Sequence, residues 1–359
     1  MGEDQITITK RQLRAALTDV SKSAEIVNLE YTSDAETGIH REKKGNKFEY
    51  TFQGKKITDT ELLLRIKSIG IPPAWTNVWI CMSDNGHLQA TGYDTAGRKQ
   101  YRYHPMWNKI RNHTKFFRLL NFGLKLNEIR LRINQDLNLP DISKNKVLAT
   151  VVNILDSAYI RIGNSVYEKT NGSFGLTTLK DKHVKIEGSK INFCFIGKKG
   201  IKANITIKNK RLANIIKKCK DIPGQHLLAY YENGEIKKID SGMVNDYIRE
   251  ISGENYTSKD FRTWAGSTAA IRALIELGES ETAAGTKKII NQMFDIVASE
   301  LGNTRNVCRQ NYVHPIITEL YESRKLNQYI KMNEMDDLKN LKPEEIILIN
   351  ILQKITLKS

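Results

Sequence analysis

The chain has 359 residues, 40% of them hydrophobic, and 56 Lys and Arg against 40 Asp and Glu, a net charge of +16. That length suits two or three domains with packed cores, which excludes a disordered polycation, and the cationic surplus points to a polyanion, nucleic acid before an anionic membrane. The N-terminus MGEDQITITK has no apolar signal segment and no run of about 18 apolar residues occurs, so secretion and membrane insertion are not expected. Cys81, Cys194, Cys219 and Cys308 stand far apart, without a CxxC pair or an HExxH motif. They read as reduced thiols of a cytoplasmic protein, nucleoid-associated if the source is bacterial, and no metal or cofactor is expected.

Residues 1–25 read as a polar leader with a short helical patch. The stretch 26–97 reads as a β-rich N-terminal domain. IVNLEYT (26–32) alternates apolar and polar, GNKFEYTFQGKKI (45–57) has hairpin character, and NVWICMS (77–83) with HLQATGY (87–93) gives two strands around a turn. One short helix, 61–70, ends at a glycine before IPPAW. From 98 to 325 the texture is mainly helical, with amphipathic helices over 106–138 and 144–163. A β insertion follows, with GLTTLK (175–180), HVKIEGSKINFCFIG (183–197) and IKANITI (201–207). Helices return at 209–219, 241–252, 259–277 and 283–301. Residues 326–359 form a tail with a closing helix in LKPEEIILINILQKI. The expected class is α+β: a small β-rich domain, then a larger, mainly helical domain with a β-hairpin insertion.

Charge concentrates at the junction. Between Arg98 and Arg132 there are ten Lys or Arg residues and one acid, Glu128, interleaved with Tyr101, Tyr103, Trp107, Phe116 and Phe117. Cations neutralise phosphates while aromatic and amide groups fix register on sugars and bases. The expected partner is nucleic acid, a duplex clamped between the two domains.

Four segments of the helical domain carry further polar residues. Arg161 sits in SAYIRIGN near a helix end, Lys198 at the tip of FIGKKGIK between Gly197 and Gly200, and Arg262 in SKDFRTWAGS at a helix start. Asn303 and Tyr312 lie in LGNTRNVCRQNYVHP. Singly, each has a plainer role: helix-end cation, exposed turn residue, salt-bridge partner, half-buried anchor. Together they match what metal-free phosphodiester cleavage requires. Two guanidiniums present planar forks to phosphate, an amide adds a hydrogen bond, and a lysine on a hairpin tip can protonate the leaving oxygen. Tyrosine's reference pKa of ~10 leaves little phenolate at neutral pH, and nearby guanidiniums favour the ionised form.

With these residues in view, the chain resembles the type IB DNA topoisomerases of the compact poxvirus-like and bacterial kind, over about residues 71–322. The motifs are GIPPAWTNVWI, HLQATGYDTAGRKQYRYHPMW, YIRIGN, GLTTLKDKHV, FIGKKG, KDFRTW and GNTRNVCRQNYVHP. The resemblance implies that Tyr312 is the nucleophile, that Arg161 and Arg262 clamp the scissile phosphate, and that Lys198 is the general acid. Asn303 falls where many members have histidine, with the family's nine-residue step to Tyr312; it can donate to a phosphate oxygen but cannot carry a proton. DNA contacts are implied for Gln100, Tyr101, Tyr103 and Tyr167. The implied activity is relaxation of supercoiled double-stranded DNA through a 3′-phosphotyrosine, without ATP or metal, by a monomer that clamps around the duplex. The rival readings are a tyrosine recombinase, against which stands Lys259 where recombinases carry the histidine of His-x-x-Arg, and a non-catalytic DNA binder on the same scaffold.

Overall fold

The computed structural model describes residues 12, 15–16, 19–45, 47–95, 97–330 and 340–358, without the side chains of 112, 113, 117 and 356–358. Much of the expected leader, the Phe117 ring and residues 331–339 of the expected tail lie outside the described residues. Two compact units form, Met1–Arg118 and Leu119–Ser359.

In the first unit α1 (Val20–Ile26) precedes β1 (Ile39–Lys44), β2 (Lys47–Phe52) and β3 (Lys55–Lys56). Helix α2 (Thr60–Ser68) follows, then β4 (Thr76–Ile80), β5 (Leu88–Tyr93) and β6 (Lys99–Tyr103). The strands form one antiparallel sheet in the order β3-β2-β1-β4-β5-β6. Ile39 pairs with both Phe52 and Ile80, and with Val78 and Ala90 it builds a core against Ile66 of α2. The helix begins where the Asp59 carboxylate accepts from the Leu62 N–H at 3.1 Å.

The strand expected at 26–32 is absent. Ile26 ends α1, Asn28 turns the chain at φ 54°, and Leu29 packs with Ala24, Trp107 and Ile110. Only Glu30 bridges to Gly86. The apolar residues there serve a helix-and-turn cluster, which alternation alone does not distinguish from a strand. Conversely, β1 has the charged sequence IHREKK and carries little strand signal, yet it is central. Its Arg41 lies over the Phe48 ring and donates to the carbonyls of Pro72 and Trp75, at 3.0 and 2.7 Å.

Helix α3 (Pro105–Leu137) begins in the first unit and continues into the second. There follow α4 (Lys144–Ala158), α5 (Ser165–Asn171), a sheet of β7 (Val184–Glu187), β8 (Lys190–Ile196) and β9 (Lys202–Lys208), and α6 (Lys210–Lys220). The hairpin β10 (Ala229–Glu232) and β11 (Glu235–Lys238) leads to α7 (Ser241–Ser252), α8 (Ser258–Leu277), α9 (Ala283–Leu301), α10 (Arg305–Asn311), α11 (Pro315–Glu322), α12 (Leu326–Ile330) and α13 (Pro343–Lys358). Helix α8 is the hub, buried from Phe261 through Ile271. The closing helix α13 buries Ile347, Leu348, Ile349, Ile351 and Leu352, so the expected tail includes part of this core. The mixed class is as expected: an N-terminal antiparallel sheet and a mainly helical unit with a small sheet inserted. No helix among the described residues is long and apolar enough to cross a membrane.

Two local expectations are corrected. The helix read over 144–163 stops at Ala158, because Tyr159 adopts a left-handed conformation, φ 56° and ψ 20°. The stretch GLTTLK is not a strand; Leu176–Thr178 form a 3-10 turn. The Thr178 hydroxyl accepts from the Gly175 N–H at 2.9 Å, and Gly175 lies so close to Gly163 that a Cβ on it would sit 2.5 Å from the Gly163 Cα. That approach requires glycine and leaves no room for a paired strand.

Candidate active site

The left-handed Tyr159 places Arg161 on a segment without regular structure beyond α4 rather than on a helix end. The Arg161 carbonyl accepts from Leu176 N–H at 2.9 Å, and Ile162 from Thr177 N–H at 2.7 Å, so the turn at Gly175 fixes this segment. One terminal nitrogen of Arg161 donates to the Gly302 carbonyl at 3.1 Å and to the Asn303 amide oxygen. Burial, then the charge of Arg262, lower the Arg161 pKa, with the Tyr312 phenol opposing. Arginine stays charged regardless.

Arg262, on the second turn of α8, is only 6% exposed. Its two terminal nitrogens donate to the carbonyls of Tyr159 and, at 2.8 Å, Leu301, and its Nε is buried without a partner. The guanidinium carbon stands 5.4 Å from the centre of the Tyr312 ring. Among the described residues neither Arg161 nor Arg262 pairs with a carboxylate. Each uses two of its five N–H groups on protein oxygens, leaving three.

Tyr312 follows α10, its N–H donating to the Cys308 carbonyl at 3.0 Å. Its main chain is pressed onto α8 at Gly266, where a Cβ would lie 2.6 Å from the Tyr312 Cβ. Ser267 clasps the same turn: its hydroxyl donates to the Tyr312 carbonyl and accepts from the His314 N–H, both at 3.1 Å. Beneath, burial pushes the Cys308 thiol up to about 11, the guanidiniums of Arg262 and Arg161 pulling the other way, so it is a packed, unreactive group.

Lys198 lies between β8 and β9, in a turn closed by the Gly197 N–H donating to the Ile201 carbonyl at 2.8 Å. The residue is exposed overall, which limits the shift, yet its ammonium is partly desolvated. That desolvation, then the Arg161 charge, hold its pKa below the usual lysine value; Lys199 and Arg262 act likewise and the Tyr312 phenol opposes. The fold thus gathers Arg161, Lys198, Arg262, Asn303 and Tyr312 from four separate segments. Sequence reading did not single out Tyr159, Ser267 or Gly266. The glycine inside the helical pattern FRTWAGS was the available signal, since such a residue marks a close approach.

The other singled-out residues are placed as follows. Tyr167 is 46% exposed on α5. On the edge strand β6 of the first unit, the Tyr101 and Tyr103 rings stack at 5.9 Å and 8°, both exposed, and Gln100 donates to Asp94 at 2.9 Å. Tyr103 continues to Trp107 and His87, and His87 stacks at 4.3 Å on Tyr31, an exposed aromatic that the strand reading of 26–32 hid.

Comparison with known proteins bears on the family. The family profile of the eukaryotic DNA topoisomerase I catalytic core matches residues 104–338, and that of the bacterial DNA topoisomerase IB N-terminal domain matches residues 47–94. The chain is 35% identical over 295 residues to a DNA topoisomerase 1B of Acanthamoeba polyphaga mimivirus, covering 80% of this chain and 88% of that protein. It is 24% identical over 251 residues to the DNA topoisomerase 1B of vaccinia virus (strain Copenhagen) and to the DNA topoisomerase I of monkeypox virus, covering 68% of this chain and 76% of each. By both measures the chain belongs to the type IB DNA topoisomerase family.

Proposed function

We propose that the chain relaxes supercoiled duplex DNA by transient cleavage of one strand through Tyr312. The observation that carries this reading is a pair of guanidiniums, Arg262 buried and Arg161 partly so, without carboxylate partners among the described residues and close to one phenol. Buried cations without counter-charge are costly unless an anion arrives, and a phosphodiester supplies it.

In the proposed step the Tyr312 oxygen attacks phosphorus in line and its proton passes to water. A bond forms from the phenolic oxygen to a 3′-phosphate, and the bond from phosphorus to the 5′ oxygen breaks. Lys198 protonates that departing oxygen and becomes neutral; in religation it takes the proton back as the 5′-hydroxyl attacks. The unused N–H groups of Arg161 and Arg262 bear on the non-bridging oxygens. Asn303, its oxygen turned to Arg161 and one amide N–H donating to the Leu301 carbonyl at 3.5 Å, offers its other N–H to the same phosphate. The phosphotyrosine preserves the energy of the broken bond, so no ATP is called for, and the two guanidiniums carry the charge a metal would otherwise neutralise. Tyr101, Tyr103 and Gln100 in one unit and Tyr167 in the other are the proposed contacts to DNA, made by a monomer.

The test is trapping on duplex DNA with SDS. Wild type should leave a covalent protein–DNA adduct and relax a plasmid lacking any particular site. Tyr312→Phe should bind DNA and do neither; robust relaxation by that variant would refute the assignment. Relaxation without a dedicated site also separates this reading from a recombinase.

A further inference from the structure

A second cationic concavity lies within the Leu119–Ser359 unit. A cavity of about 480 Å³ is walled by Asn138 after α3, Lys146 on α4, and Lys210, Arg211, Asn214 and Lys218 on α6. Positions 210, 214 and 218 share one face of α6, forming a row rather than a point. Among the described residues none of the four cations is ion-paired. Arg211 is steadied by amides, donating to Asn134 at 2.6 Å and Asn138 at 3.2 Å, so its charge is not neutralised. Lys146 is 8% exposed and donates to the Leu139 carbonyl. Burial, then the Lys218 charge, lower its pKa, opposed by Asp141. Lysine is rarely buried unless paired, and among the described residues this ammonium has a carbonyl and the more distant Asp141 charge but no ion pair.

The cleft is remote from Tyr312. Lys146 lies in the first turn of α4 and Ala158 ends the helix, twelve residues on, or ~18 Å of helical rise; Arg161 lies beyond that far end. The lining has no aromatic platform for a base and no acid, which suits a run of phosphates better than a nucleotide.

We infer that this cleft is a second backbone-binding site, taking phosphates of DNA outside the segment held at Tyr312. The inference rests on the topoisomerase reading and adds to it a grip on DNA away from the cleaved bond.

The test uses the full chain with Lys210→Glu and Lys218→Glu combined, both exposed positions outside the packed core. Adduct formation is timed on a short duplex just spanning the cleavage site. Affinity for supercoiled plasmid is measured against NaCl in a Tyr312→Phe background. The variant should cleave the short duplex at the wild-type rate. Its plasmid affinity should fall by about tenfold or more at low salt, with the log–log salt slope reduced by roughly 2, near 0.9 per lost phosphate contact. Lys146→Met should move plasmid affinity the same way. Unchanged plasmid affinity and slope would overturn the inference, and so would an equal loss on the short duplex, which would assign the cleft to the cleaved segment. Absence of any adduct from wild type would instead sink the topoisomerase reading itself.

Discussion

In the proposed reaction Arg262 is a single side chain prepared for an anion. Tyr159 and Leu301 carbonyls hold its terminal nitrogens, and burial removes water that would otherwise solvate its Nε. Lysine could keep the charge but not the fork, so Arg262→Lys should slow adduct formation by about 10²–10³-fold, the range for removing one transition-state donor, while DNA affinity changes far less. Rapid single-turnover cleavage by that variant would remove Arg262 from the phosphate. Lys198 makes a pH prediction. Its pKa is lowered, by desolvation first and then by Arg161, so the protonated acid is lost at a pH below the reference of ~10.4. The cleavage rate should therefore fall as pH rises through that lowered value, and Lys198→Ala should be slow without the same fall. Stability has the opposite sense. A base with a lowered folded pKa loses its proton first in the folded state, so stability increases with pH between the folded and unfolded values. Lys198→Met should lack that increment in thermal melts across the same range.

At the scale of elements, the candidate site depends on how α8 is packed and on the helix behind it. Helix α8 carries Arg262 outward on one side and, through Gly266 and Ser267, receives the Tyr312 turn on another. The closing helix α13 anchors α8 from behind. Glu345 accepts from the Trp264 indole at 2.9 Å, and both Glu345 and Asp156 chelate Arg130 with distances of 2.7–2.9 Å. Burial would push the Glu345 carboxyl up, but the Arg130 hydrogen bond and charge outweigh it and its pKa is lowered. This contribution is present above the unfolded carboxyl value of ~4.3 and lost as pH falls through the lower folded one. Glu345→Ala leaves Arg130 partly uncompensated and should cost about 3–5 kcal/mol, the range for breaking a buried pair. Thermal unfolding of the full chain reads this directly, and a melting temperature equal to wild type would show the network to be dispensable.

For the molecule as a whole, the sequence by itself determined the class of partner, the order of β-rich and helical parts, and the short motifs around Arg161, Lys198, Arg262, Asn303 and Tyr312. Those features are local: net charge, periodicity and the residues flanking a motif are written within a few positions of one another. Tertiary structure alone decided what each motif does in space. The non-helical run at Arg161 arises because Tyr159 turns left-handed and Gly175 packs on Gly163, partners that no periodic pattern announces. The carbonyls that orient Arg262 belong to residues 103 and 39 positions away, and the row of cations on α6 becomes a cleft only when Lys146 and Asn138 close against it. Propensity and spacing describe neighbours along the chain, whereas desolvation, counter-charge and close approach depend on which distant backbones the core brings together, and those quantities set the chemistry of the site.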